Sequence, residues 1–202
     1  MKKLKNSLFL FFVLFVLGCS FNKSIDHPQK EKLLIQNLQK WQNFKADGII
    51  EANYKNFVFR KNIHIDKAHS NMKITVFDSG IFGLKPEPFI SLEIDSLISI
   101  KSQSEPEKNY QIADFPGLNF ILDSNSLIQY KNEIITNEKL QLSNGTKITF
   151  SEIMQLKKIN IPSNSWEIDF FYHEDLSSIE VYEKNQLLAK IEIDRIRRED
   201  KQ

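Results

Sequence analysis

The apolar positions of this chain repeat first every 3.6 residues and then every two, and the change falls near Lys45. Upstream, Leu34, Leu38 and Trp41 recur at i, i+4 and i+7, and Leu33, Ile35 and Phe44 widen the stripe, as in an amphipathic helix. Asp26 followed by Gln29, with Pro28 in the first turn, predicts that the helix opens there and runs to about Asn43. Downstream, Ile50, Ala52 and Tyr54 alternate with Glu51, Asn53 and Lys55 in a strand that starts at Gly48. Phe57, Phe59, Ile63 and Ile65 continue a second strand after a turn near Asn56, and Lys67 to Asn71 form the next polar turn. Met72, Ile74 and Val76 alternate with Lys73 and Thr75. Ile90, Leu92 and Ile94 alternate with Ser91 and Glu93, and Ile98 and Ile100 extend the meander.

The middle of the chain breaks this rhythm. Ser102 to Asn109 is charged and contains Pro106, which predicts a loop. Leu118, Ile121, Leu122 and Leu127 are spaced more like a helix, so one or two short helices are expected over Asn119 to Lys131, lying on the open side of the sheet. Strands resume at Lys147–Phe150, Gln155–Ile161 and Trp166–Tyr172. A last hairpin pairs Ile179–Tyr182 with Leu187–Ile196 across a turn at Lys184-Asn185, and the charged tail from Arg195 is expected to fray. About nine or ten strands, most of them apolar on one face, predict an α+β fold built on a strongly curved antiparallel sheet. Such a sheet must close, or plug its mouth with helices, to bury its inner face.

One connection departs from ordinary turn chemistry. Asp78 to Leu84 carries Ile81, Phe82 and Leu84 among Gly80 and Gly83, where polar turn formers are usual. These side chains either fold back onto the core or are presented to something apolar.

The N-terminus sets the compartment. Lys2, Lys3 and Lys5 precede an apolar run from Leu8 to Leu17, shorter than the ~20 residues of a membrane span. The run ends in Val16-Leu17-Gly18-Cys19-Ser20, which resembles the bacterial lipobox. That resemblance implies a signal peptide over 1–18 and acylation of Cys19. A lipidated tether would follow over 19–29, and a single folded domain over 30–202. Several acyl chains at ~0.8 kcal/mol per buried methylene would make the anchor permanent. Ser20 does not match the aspartate that retains inner-membrane lipoproteins in enteric bacteria, so the periplasmic face of the outer membrane is expected. Cys19 is the only cysteine, which excludes a disulfide within the chain and a cysteine-based metal site.

Composition narrows the partners. Hydrophobic residues make up 41% and charged residues 26%, an ordinary globular balance. Taking the three leader lysines from 27 basic residues leaves 24 against 26 acidic ones, so the mature chain carries about −2 and has no field for nucleic acid. His27, His64, His69 and His173 are scattered without ligand spacing, so no metal and no cofactor are expected. Glu93 with Asp95, and Glu192 with Asp194, share strand faces and read as solvated pairs. Ser79-Gly80 is no nucleophile elbow, and no P-loop or dinucleotide fingerprint occurs. The expectation is a non-enzyme.

The order of helix, Gly-bearing first strand, meander, apolar loop, middle helices and late Trp-led hairpins resembles the LolA/LolB superfamily. Its members are periplasmic lipoprotein carriers and receptors with an unclosed β-barrel capped by helices. The best local match is to LolB, the lipidated outer-membrane lipoprotein receptor. Ala46-Asp47-Gly48-Ile49-Ile50 resembles that family's first strand, and Ser165-Trp166-Glu167-Ile168 its late strand. Gly80-Ile81-Phe82-Gly83 matches the loop whose protruding apolar residue helps deliver lipoprotein to the membrane, though Gly80-Ile81 stands where the family has proline. The resemblance implies that Phe82, flanked by Ile81 and Leu84, faces membrane or ligand. It also implies a cavity for acyl chains lined by Ile50, Ala52, Ile74, Val76, Leu92, Ile94, Trp166, Ile168 and Phe170. The partners it implies are lipoprotein acyl chains or another lipid, a soluble periplasmic carrier protein and the outer membrane, with the protein itself a monomer. A docking lipoprotein of an envelope complex with a filled core, or a binder of another amphiphile such as a phospholipid or glycolipid, are the alternatives.

Overall fold

The computed structural model describes residues 25–54, 57–78, 86–112 and 122–198. Helix α1 (His27–Lys40) opens as its sequence predicts: the Asp26 carboxylate accepts from the Gln29 amide at 2.9 Å, with Pro28 in the first turn. It ends earlier than Asn43. Trp41 N–H bonds Leu38 O at 3.1 Å, the chain turns, and β1 (Asn43–Tyr54) begins at once. Phe44 therefore belongs to the sheet, paired with Lys67 and Arg198, rather than to the helical stripe.

The strands that follow are β2 (Phe57–Ala68), β3 (Asn71–Phe77), β4 (Pro88–Ile94), β5 (Leu97–Ser102) and β6 (Lys108–Gln111). A 3₁₀ segment (Ser124–Tyr130) and helix α2 (Lys131–Asn137) lead into β7 (Lys139–Gln141), β8 (Lys147–Phe150), β9 (Leu156–Ile161), β10 (Trp166–Tyr172), β11 (Leu176–Glu183) and β12 (Gln186–Arg198). All twelve form one antiparallel sheet in the order β6-β5-β4-β3-β2-β1-β12-β11-β10-β9-β8-β7. The sheet is two six-stranded meanders stitched together by β1 against β12. Its two edges, β6 and β7, are joined through the helical middle of the chain.

The fold is the expected unclosed, curved antiparallel sheet with helices packed on it, with two strands more than the alternation reveals. β6 is exposed at every position, and β7 is three residues long with only Leu140 buried, so neither carries a readable period. The middle helices also lie later than expected. The 3₁₀ segment and α2 cover 124–137, whereas Leu118 and Ile121 fall outside the described residues.

Register shifts at Asp47/Gly48, Val76/Phe77, Phe171/Tyr172 and Val181/Tyr182 bend the strands and raise their twist. At the first of these Gly48 is required by space, since a Cβ there would lie 2.1 Å from the Glu192 carbonyl oxygen. The β11–β12 turn places Lys184 at φ 49° and Asn185 at φ 67°, the two positive values of a type I′ hairpin. The tail expected to fray is ordered through Arg198. Its guanidinium bonds the Asp175 carboxylate (Nε to Oδ2 2.9 Å) and the Lys40 carbonyl, and it covers the Phe44 ring.

Helix α1 lies against α2 and the 3₁₀ segment at one end of the curved sheet. Lys30 reaches Glu138 at 2.6 Å, Glu31 pairs with Lys131, and Asn37 donates to the Ile153 carbonyl at 2.8 Å. Leu34, Leu38, Leu127, Ile134 and Ile135 are buried there and continue into the core formed by the sheet's inner face. This cap closes one end of the half-barrel.

A candidate lipid cavity between the two arms of the sheet

The period-two pattern sends alternate apolar residues to the concave face, and the curvature brings the two meanders opposite one another. Between them lies a cavity of about 370 Å³. Ile65, Met72, Ile74, Leu92, Ile94 and Ile100 form one wall. Ile159, Ile161, Ile168, Ile179, Val181 and Ile191 form the other, with Ile98 beside the first. Many of these inward residues, Ile74, Leu92, Ile168 and Ile179 among them, are only partly buried although they pack against the core. Apolar side chains facing inward yet left half wet mark an unfilled space.

The two ends of the cavity differ. Under α1 the floor is aromatic and dry: Trp41, Phe44 and Phe170 are buried, and Trp41 meets the other two rings edge-on at 5.8 and 5.4 Å between centroids. At the other end stand Trp166, partly exposed with its indole N–H 3.4 Å from Glu183 Oε1, and Asn164 in the turn between β9 and β10. Asn164 is the one polar side chain among the described residues that line the cavity. Its Oδ1 accepts from Ser163 Oγ at 2.8 Å, and the cavity surface itself is almost wholly apolar. Along β10 the inward side chains go from buried at Phe170 to partly buried at Ile168 and Trp166.

Of the residues expected to line a cavity, the structure brings Ile74, Leu92, Ile94, Trp166, Ile168 and Phe170 together there. Ile50, Ala52 and Val76 are not in the lining, a correction to the sequence reading. On β1 to β3 the lining comes from the halves nearest α1, through Phe44, Ile65, Met72 and Ile74. Ile50 and Ala52 lie farther along, paired with Lys61 and Phe59, and Val76 is buried in the core between Ile63 and Ile90. The same parity marks Ile65, Met72, Ile98, Ile161 and Val181, which the sequence reading did not single out. Nothing in the sequence marks Asn164. Cys19, Ile81, Phe82 and Leu84 lie outside the described residues.

A polar clasp secures the closed end. Lys67, assigned by its sequence to a solvated turn, lies on the inner face of β2 and is 2% exposed. Its ammonium donates to the Leu122 carbonyl at 2.7 Å and to the His69 carbonyl. Ser124 Oγ donates to the Leu38 carbonyl at 2.8 Å, and Gln42 bonds Asn125. Burial pushes the Lys67 ammonium down to about 8, against the pull of the Asp123 carboxylate.

Among the described residues, the convex face pairs its carboxylates with neighbouring donors. Lys73 at 2.7 Å holds the Glu93 carboxyl low, Lys190 at 2.9 Å does the same for Glu192, and the Leu97 amide lowers Asp95. Carboxylates pinned in their ionised form on solvated strands are poor proton donors. Among the described residues no three of His, Cys, Asp or Glu converge as metal ligands, and no helix is long and apolar enough to cross a membrane.

The fold and cavity define a class: an open antiparallel half-barrel, capped by helices at one end, with an apolar interior of ligand size. No protein-family model matches the chain, and no curated protein matches it. Among solved structures it is similar to a LolA superfamily protein from Nitrosomonas europaea, at 6% identity over 86% of this chain and 95% of that one, with a TM-score of 0.46. A likeness at that level leaves the reading of the site to the residues themselves.

Proposed function

We propose that this protein is a non-enzymatic lipoprotein, anchored through Cys19 to the periplasmic face of the outer membrane, that accepts the acyl chains of incoming lipoproteins from a soluble carrier. The observation that carries this reading is the unfilled apolar cavity, whose inward isoleucines and Leu92 gain ~0.8 kcal/mol for each ligand methylene they take from water. Transfer between two such cavities requires no chemistry. An acceptor advantage of ~1.4 kcal/mol makes it tenfold favourable. The Ile81-Phe82-Leu84 loop then helps the cargo enter the bilayer.

The test uses the soluble chain starting at Ser20 and a solvatochromic hydrophobic dye. Saturable binding is expected, weakened tenfold or more by Val181→Trp, which fills the cavity, and unchanged by Ala52→Trp, which lies off it. Phe82→Glu is expected to leave dye binding intact and slow the release of bound lipid into vesicles. A folded protein that binds no dye sinks the carrier reading and leaves a docking lipoprotein with the cavity as a packing defect.

A further inference from the structure

Resting on that reading, the geometry points to a ligand of defined size and orientation: one acyl chain at a time, methyl end on the aromatic floor, carbonyl linkage toward Trp166. Two observations carry it. An apolar cavity of about 150 Å³ takes a six-carbon ring. By the same scale a cavity of 370 Å³ takes roughly fifteen carbons, the content of a single ordinary acyl chain. A lipid with two or three chains must leave the others outside the walls.

The second observation is polarity. The floor at Trp41, Phe44 and Phe170 is closed and apolar, so no head group can be seated there without losing its hydrogen bonds. The opposite end carries the partly exposed Trp166, so a polar linkage stays near water there. The neighbouring Glu183, bonded to the Trp166 indole, disfavours an anionic head at this rim. An uncharged carbonyl linkage suits the site better than a free carboxylate or a phosphate.

The chain's two tryptophans sit at the two ends of the cavity and provide the readout. The full chain, reconstituted in phosphatidylethanolamine vesicles, is titrated with 16-carbon monoacylglycerols brominated near the methyl end or near the carbonyl. Single-tryptophan forms, Trp41→Phe and Trp166→Phe, assign the quenching. We expect saturation at one chain per protein, with tail bromine quenching Trp41 and carbonyl-proximal bromine quenching Trp166. An N-palmitoyl dipeptide amide, run alongside, separates an amide-linked chain from an ester-linked one by relative affinity. Either, bound singly and in this orientation, supports the assignment. Ile168→Phe should shift the preferred chain length down by a few carbons.

Two chains of one diacylglycerol quenching both tryptophans together, two or more equivalents bound, or the reverse orientation would overturn the one-chain assignment and leave the carrier reading standing. Absence of saturable binding by every acyl probe would overturn both.

Discussion

Lys67 is a buried charge whose burial works against the fold. A cation on the concave face of an apolar half-barrel is retained because two carbonyls accept from it, one of them Leu122 O at the start of the cap. Its folded pKa lies near 8 against 10.5 when free. Below about pH 8 both folded and unfolded chains carry the proton, and the full cost of burying the charge opposes folding. Between pH 8 and 10.5 the unfolded chain binds the proton the folded one has released, so stability rises with pH across that window. Measured as the difference in Tm between wild type and Lys67→Met, the wild type should gain on the variant between pH 8 and 10. A flat difference would mean that the ammonium is solvated. The sequence hid this residue because Lys67-Ala68-His69-Ser70-Asn71 has the composition of a turn. Only the pairing of Lys67 with Phe44 and Met72 places it inside.

At the scale of elements, β1 shows how closely two strands can be forced together. Gly48 sits at the bulge where β1 crosses β12, and an added methyl would collide with backbone, which cannot rotate away as a side chain can. Gly48→Ala should therefore cost at least about 2 kcal/mol. Denaturant unfolding would measure this, and a loss under half that amount would mean the bulge opens freely. The legible elements are those with a period. α1 with its Asp26 cap, the inward residues of β3, β4 and β10, and the Lys184-Asn185 hairpin all follow from spacing and turn chemistry. The illegible ones carry no such signal: β6 has no buried side, β7 has one buried residue, and the end of α1 is set by strand pairing that claims Phe44. The cavity was half legible for a related reason. Alternation tells which face of a strand is inward, but not how far along it the facing arm reaches, so Leu92 and Ile168 line the cavity while Ile50 and Val76, of the same parity, lie off it.

At the scale of the whole molecule, the pairing of β1 with β12 joins two meanders that otherwise consist of neighbouring hairpins. Removing β12 by ending the chain at Asn185 should leave two arms that no longer unfold as a unit. Calorimetry should replace one transition by two weaker ones or none, and a single sharp transition retained by the shortened chain would refute the role given to this seam. The cavity depends on the same seam, because its walls belong to different arms.

The topology also governs the order of events for a chain that is delivered from its N-terminus. β1 is the first of the described strands to arrive and its second partner, β12, the last, so one long edge of Phe44, Ala46, Ile50 and Ala52 waits unpaired while the ten strands between them are threaded. Closing so large a loop adds only slowly growing entropy, but it comes late and slows folding. The central strand thus needs shelter before the sheet that it organises exists.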